Sequence, residues 1–125
     1  MNAIKWNDQT PIFRQLKDKV IELILDDEVG EGEAVPSVRQ VAADYQINPL
    51  TVSKAYQQLV DDQILLKKRG LGMFVTEGAK DKLLADQKDH FMAVEWPLII
   101  ARIQRLGLDL ESLMKTQEEN KGEVQ

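Results

Sequence analysis

The chain has no cysteine, which excludes disulfides and any thiolate zinc site. It has one histidine, His90, so no imidazole cluster can form. Asp86 lies at i, i+4 from His90 and the pair could share a metal, but one imidazole with no preformed cage reads as an ordinary surface histidine, and no metal is expected. No apolar run approaches the length of a membrane span, and Met1-Asn2-Ala3-Ile4-Lys5 lacks the apolar centre of a signal peptide. A cytoplasmic protein without membrane contact is the expectation. Catalytic signatures are missing too: there is no Ser/His/Asp set and no P-loop, and Gly70-Leu71-Gly72 lacks the third glycine and following helix of a dinucleotide site. The neighbouring carboxylates Asp26-Asp27 and Asp61-Asp62 point to different helix faces at helix ends, where solvated acids are common. Neither an enzyme nor a cofactor is expected. With 125 residues and 43% hydrophobic content, the chain can bury one small core and a helical appendage.

What is present concentrates between Pro36 and Val75. Ser37-Val38-Arg39-Gln40 places a side-chain oxygen at a helix N-cap with glutamine three residues on, the pattern of a capping box. Val38, Val41 and Ala42 then share one face, which leaves Arg39 and Gln40 pointing outward. The pattern breaks at Tyr45-Gln46-Ile47 and restarts at Asn48-Pro49, an N-cap followed by proline in the first helical position. The second helix should bury Val52, Ala55, Tyr56 and Leu59, turning Leu50, Thr51, Ser53, Lys54 and Gln57 outward. Hydroxyls and Lys54 can bond phosphates or base edges, Leu50 can pack on a thymine methyl, and the helix N-terminus favours phosphate.

After Asp61-Asp62-Gln63 the period changes. Ile64-Leu65-Leu66-Lys67-Lys68 and Met73-Phe74-Val75 predict two strands around a glycine tip, Arg69-Gly70-Leu71-Gly72. Glycine there permits positive φ and close approach to a surface, while Lys67, Lys68 and Arg69 supply charge. Two short helices, a tight turn and a basic hairpin spell a winged helix-turn-helix, with the hairpin as a wing touching the minor groove.

Four segments in order carry a family resemblance: Pro11-Ile12-Phe13 with Gln15-Leu16, Val35 to Ala42, Asn48 to Tyr56, and Arg69 to Val75. Together they span roughly residues 10 to 76, and the chain resembles the GntR family of bacterial transcriptional regulators. Asn48-Pro49 followed by Thr51-Val52, with a short tail, is similar to the YtrA-type subgroup, which carries a small helical dimerisation module. The resemblance implies that Arg39, Pro49, Leu50, Thr51, Ser53 and Gly70 contact operator DNA, with Lys54 and Arg69 adjacent. Ser37, Gln57 and Lys68 complete the candidate DNA-facing set. Leu50 stands where many relatives carry asparagine, so base preference there differs. Gln63 stands where the family often has glycine at a left-handed helix end, which implies another end geometry or modest strain.

The charge argues the other way: 16 Lys plus Arg against 21 Asp plus Glu give −5 and a pI near 4.9. Nucleic-acid domains are usually basic. Locally, Pro36 to Val75 holds five basic residues against three acidic ones, and much of the excess acid lies elsewhere, in Asp26 to Glu33, a stretch read as a solvated turn in which Gly30 and Gly32 release the chain. Weak non-specific binding, steep salt dependence and a need for two DNA-binding units follow. A lone charge cluster is ordinarily a solvated surface. Here Arg39 and the Lys67-Lys68-Arg69 run fall on the segments a winged helix-turn-helix presents to DNA, which favours binding.

Upstream, Thr10 and Pro11 read as N-cap and first residue of a helix to about Asp27, with Phe13, Leu16, Val20, Leu23 and Ile24 inward. Ile4-Lys5-Trp6 could add a short strand. Beyond Gly78, two apolar stripes run from Ala79 to Leu106. One holds Leu84, Phe91, Val94, Leu98 and Ala101; the other holds Met92, Trp96, Ile99, Ile103 and Leu106. Two stripes require two covering surfaces, and the second is read as another subunit. Phe91 and Trp96 are alternatively the lining of an effector pocket. Pro97 predicts a kink near Val94 within one continuous helix that Gly107 ends. A last helix from about Asp109 to Glu118 offers Leu110, Leu113 and Met114, and residues after Glu119 should fray.

The sequence therefore predicts a mainly α protein with a small β-hairpin: a winged helix-turn-helix at residues 1–77 and a helical dimerisation module at 78–125. Its expected role is a homodimeric repressor on pseudo-palindromic, double-stranded operator DNA, since two recognition helices about one helical turn apart (~34 Å) read such a site. The competing readings are a protein-interaction module that keeps the fold, and a regulator with a small effector at the dimer interface.

Overall fold

The computed structural model describes the backbone of residues 6–123 and the side chains of residues 6–120. Of the strand expected at Ile4-Lys5-Trp6, the first two residues lie outside the described residues. The chain divides into two compact units, the first ending at Leu84 and the second starting at Ala85.

The first unit opens with α1 (Ile12–Leu25), which buries Leu16, Val20, Leu23 and Ile24 and leaves Phe13 half-buried. Its start differs from the sequence expectation: Pro11 sits at the cap with ψ 143°, and its carbonyl accepts from the N–H groups of Arg14 and Gln15. Asn7 Oδ1 takes the N–H groups of Gln9 and Thr10, while the Gln15 amide donates to the Asn7 and Thr10 carbonyls. That small network holds Thr10 in the preceding turn, outside the helix.

Helix α2 (Val38–Tyr45) begins as expected, with Ser37 Oγ accepting from the Gln40 N–H at 3.0 Å. Only half of the capping box forms, because the Gln40 side chain reaches forward to the Asp44 carboxylate at 2.9 and 3.0 Å instead of back to Ser37. A charged acceptor one turn on makes the stronger hydrogen bond. Gln46 then turns left-handed (φ 53°) and Asn48 caps α3 (Pro49–Asp61), its Oδ1 accepting from the Leu50 N–H at 2.9 Å. Val52, Ala55, Tyr56 and Leu59 are buried as the spacing predicts. The Tyr56 hydroxyl donates to the Pro36 carbonyl at 2.6 Å, tying α3 to the residue before the α2 cap.

At the far end of α3, Gln63 adopts φ 65°. Its N–H reaches the Val60 carbonyl at 2.9 Å and the Ile64 N–H reaches Leu59 at 2.8 Å, the paired bonds of a Schellman end. The left-handed geometry is thus retained without glycine, and the strain alternative is the one the structure realises.

Strands β1 (Leu65–Lys68) and β2 (Gly72–Val75) pair antiparallel, with Leu65 opposite Val75 and Lys68 opposite Gly72. A third extended segment, unseen in the sequence pattern, joins them: Ala34 bridges Phe74, and the N–H groups of Gly32, Val75 and Val35 bond Val75, Glu33 and Met73 respectively. The acidic stretch is therefore more than a solvated turn. Glu31 accepts from the Gly78 N–H at 2.7 Å at the start of α4 (Ala79–His90), and Asp27 pairs with Lys80 at 2.8 Å. Ala79 and Leu83 of α4 join the core formed by α1, α2, α3 and the hairpin.

In the second unit the helical path continues from α4 through a π-helical turn (Phe91–Glu95) into α5 (Trp96–Arg105), with helical backbone angles at His90, Glu95 and Trp96. Pro97 cannot donate to the carbonyl four residues back and its ring crowds it. The wider turn relieves both, the Trp96 N–H bonding the Phe91 carbonyl five residues earlier. Phe91 and Trp96, assigned to separate stripes, consequently stack with centroids 6.1 Å apart. Gly107 (φ 69°) ends α5, and α6 (Leu110–Glu123) runs five residues past the expected end, with no proline between 118 and 123 to stop it.

Candidate nucleic-acid interface

The inward faces of α2 and α3 are fully occupied by core packing, which fixes what faces out. Arg39 is exposed on the first turn of α2; Pro49, Leu50 and Ser53 are exposed on α3, and Thr51 is half-buried. Val38, Arg39, Ala42, Ala43, Ile47 and Pro49 line a shallow apolar cleft of about 580 Å³ between the two helices. Leu50 is 76% exposed. Ser37 is exposed but its hydroxyl oxygen already serves as the α2 cap. Gln57 is exposed and its amide donates to Asp61 at 2.9 Å.

Two lysines are positioned by aromatic rings. Lys54 Nζ lies 4.0 Å from the centroid of Phe13 and Lys68 Nζ 4.4 Å from that of Phe74, both lysines remaining exposed. The ring's negative face attracts the ammonium and limits its wandering. Sequence reasoning did not single out Phe13 and Phe74 as positioning residues. For Phe74 a signal existed, because the hairpin register sets Lys68 diagonally across from it. Lys67, Arg69 and Gly70 are exposed at the wing, and Gly70 and Gly72 take φ 77° and 112°. A Cβ at either would meet nothing within 4 Å, so these glycines serve backbone conformation and not internal space.

The acidic side chains of α2 and α3 have partners within the chain: Asp44 accepts from Gln40 and Asp61 from Gln57. Asp62, at the opposite end of α3, pairs with Lys17 at 3.0 Å, and its carbonyl accepts from Lys82. Among the described residues no helix is long and apolar enough to cross a membrane, and no group of three or more His, Asp or Glu side chains could hold a metal ion.

In the second unit, Phe91, Met92, Val94, Leu98, Ile99 and Leu106 are exposed, and Trp96 and Ile103 half-buried; Leu84, at the end of the first unit, is half-buried.

Residues 13–75, the helices and hairpin just described, match the family described as bacterial regulatory proteins, gntR family. The chain belongs to the GntR family. It is a DNA-binding transcriptional regulator, and the family is one of regulators, not enzymes. This GntR-family chain is 34% identical over 113 residues to the HTH-type transcriptional repressor YtrA of Bacillus subtilis, covering 90% of this chain and 86% of that protein. Its fold matches a GntR family transcriptional regulator from Listeria monocytogenes with TM-score 0.74 at 24% identity, over 91% of this chain and 98% of the other. A similar fold, TM-score 0.53 at 20% identity over 61% of this chain and 92% of the other, occurs in AraR(DBD) solved in complex with operator ORR3.

Proposed function

We propose that this GntR-family chain is a cytoplasmic repressor that binds a pseudo-palindromic operator as a homodimer, with residues 1–77 reading DNA and 78–125 holding two copies together. One observation carries the reading: the first turns of α2 and α3 are exposed together around the cleft that contains Arg39 and Pro49, with Val52, Ala55, Tyr56 and Leu59 of α3 packed inward. Arg39, Thr51 and Ser53 meet phosphates and base edges in the major groove, and the positive dipole end of α3 favours the same anions. Lys68, Arg69 and Gly70 meet the minor groove, Lys54 meets phosphate, and Ser37 and Gln57 flank the contact. The repressor role is supported by the similarity to YtrA, itself a repressor.

The exposed residues of the π turn and α5 support the dimer. Phe91, Met92, Leu98 and Ile99 form an apolar surface that a second copy would remove from water, at about 25 cal/mol per Å². No cofactor enters the scheme.

The test is an anisotropy titration on duplex from upstream of the chain's own gene at several salt concentrations, beside sedimentation. Wild type should form a sequence-preferring complex as a dimer. Arg39→Ala should weaken it and flatten the log–log salt dependence by about 0.9 for each phosphate no longer neutralised. Ile99→Glu should yield a monomer that binds poorly. A lone protomer in solution, or full binding by Arg39→Ala, refutes the scheme and favours a protein-interaction module.

A further inference from the structure

Leu50, at 76%, and Leu71, at 72%, are the two most exposed large hydrophobic side chains among the described residues. Leu50 sits in the first turn of the recognition helix. Its main chain is fixed, because its N–H donates to the Asn48 cap at 2.9 Å and Pro49 precedes it. Its side chain, by contrast, contributes nothing to the core, and burying it in the fold would have been the ordinary use of a leucine.

We propose that Leu50 is a specificity-determining residue that reads the 5-methyl group of a thymine in the major groove, one in each half-site. The inference rests on the DNA-reading function proposed above. A leucine neither donates nor accepts hydrogen bonds, so it cannot engage the polar edges that guanine, adenine and cytosine present in that groove. Thymine alone offers an apolar group there. The same side chain therefore attracts one base and penalises the other three, whose donors or acceptors it would strip of water without replacing.

The full chain is used to select duplexes from a random pool, and the enriched operator is titrated by anisotropy with single thymines replaced by deoxyuridine, which removes only the methyl. One thymine per half-site should be sensitive, with binding about fourfold weaker per site replaced, equivalent to about 0.8 kcal/mol for a buried methyl-sized group. Leu50→Ala, checked by its unchanged melting temperature, should bind both duplexes alike, and Leu50→Asn should enrich adenine at that position. Wild-type indifference to uracil at every thymine, or a Leu50→Ala protein as sensitive as wild type, overturns the inference while leaving operator binding standing. Selection that enriches no sequence removes the DNA-reading function and this inference with it.

Discussion

Gln63→Gly should stabilise the protein, although it deletes a side chain and adds none. Gln63 holds φ 65°, a region in which an L-residue's Cβ crowds the following carbonyl at a cost of about 1–2 kcal/mol. The geometry is imposed from both sides: Gln63 and Ile64 donate to Val60 and Leu59, and the Gln63 carbonyl accepts from Thr76 Oγ1 at 2.7 Å. Glycine removes the clash and keeps every one of those bonds. It also gains freedom in the unfolded chain, which returns about 0.5–1 kcal/mol to the unfolded state. The net is a gain of about 0.5–1 kcal/mol. For a domain the size of the first unit that raises the melting temperature by about 2–8 °C. Thermal unfolding followed by circular dichroism measures it, with Gln63→Ala as the control that keeps a Cβ and hence the strain. A fall in melting temperature for glycine, or an equal rise for alanine, would refute the strain argument.

Two further outcomes concern the supports of the reading head. Tyr56→Phe removes the hydroxyl that reaches the Pro36 carbonyl and should cost about 1–2 kcal/mol, since it leaves that carbonyl without its donor, as urea unfolding would show. Burial pushes the Tyr56 hydroxyl above its ordinary 10.0, so its contribution is intact below pH 10 and declines as alkaline pH draws a proton more readily from the unfolded chain. Alkaline unfolding of wild type should therefore include a drop that Tyr56→Phe lacks. Glu31→Ala frees the Gly78 and Lys80 N–H groups at the start of α4, and hydrogen exchange at both should quicken, with a stability loss of about 0.3–1 kcal/mol; unchanged protection would show that the carboxylate is incidental.

The helices of the first unit were legible because each packs one face on a single core, and a 3.6-residue period records that directly. Val52, Ala55, Tyr56 and Leu59 are all buried where the spacing puts them, and Ser37 and Asn48 cap as their residue types require. What escaped involves partners distant in sequence. The Ala34 bridge to Phe74, the Glu31 bond to Gly78 and the Lys54 contact with Phe13 leave no local pattern. The π turn failed for another reason: in a regular helix residues five apart point away from each other, so Phe91 and Trp96 fell on different stripes until one wide turn aligned them. At the interface, the outward positions of Arg39, Leu50 and Ser53 could be read from periodicity, whereas Gln57 and Ser37 turned out to have bonds within the chain.

The rings under Lys54 and Lys68 bear on how an acidic regulator can grip a polyanion. Immobilising a long flexible side chain at an interface costs about 0.5–1.5 kcal/mol in lost rotamers. Phe13 and Phe74 already confine these two ammonium groups in the free protein. Part of that entropy is surrendered during folding, so under the DNA-binding scheme proposed above a phosphate met by either ammonium would return more of its attraction as affinity.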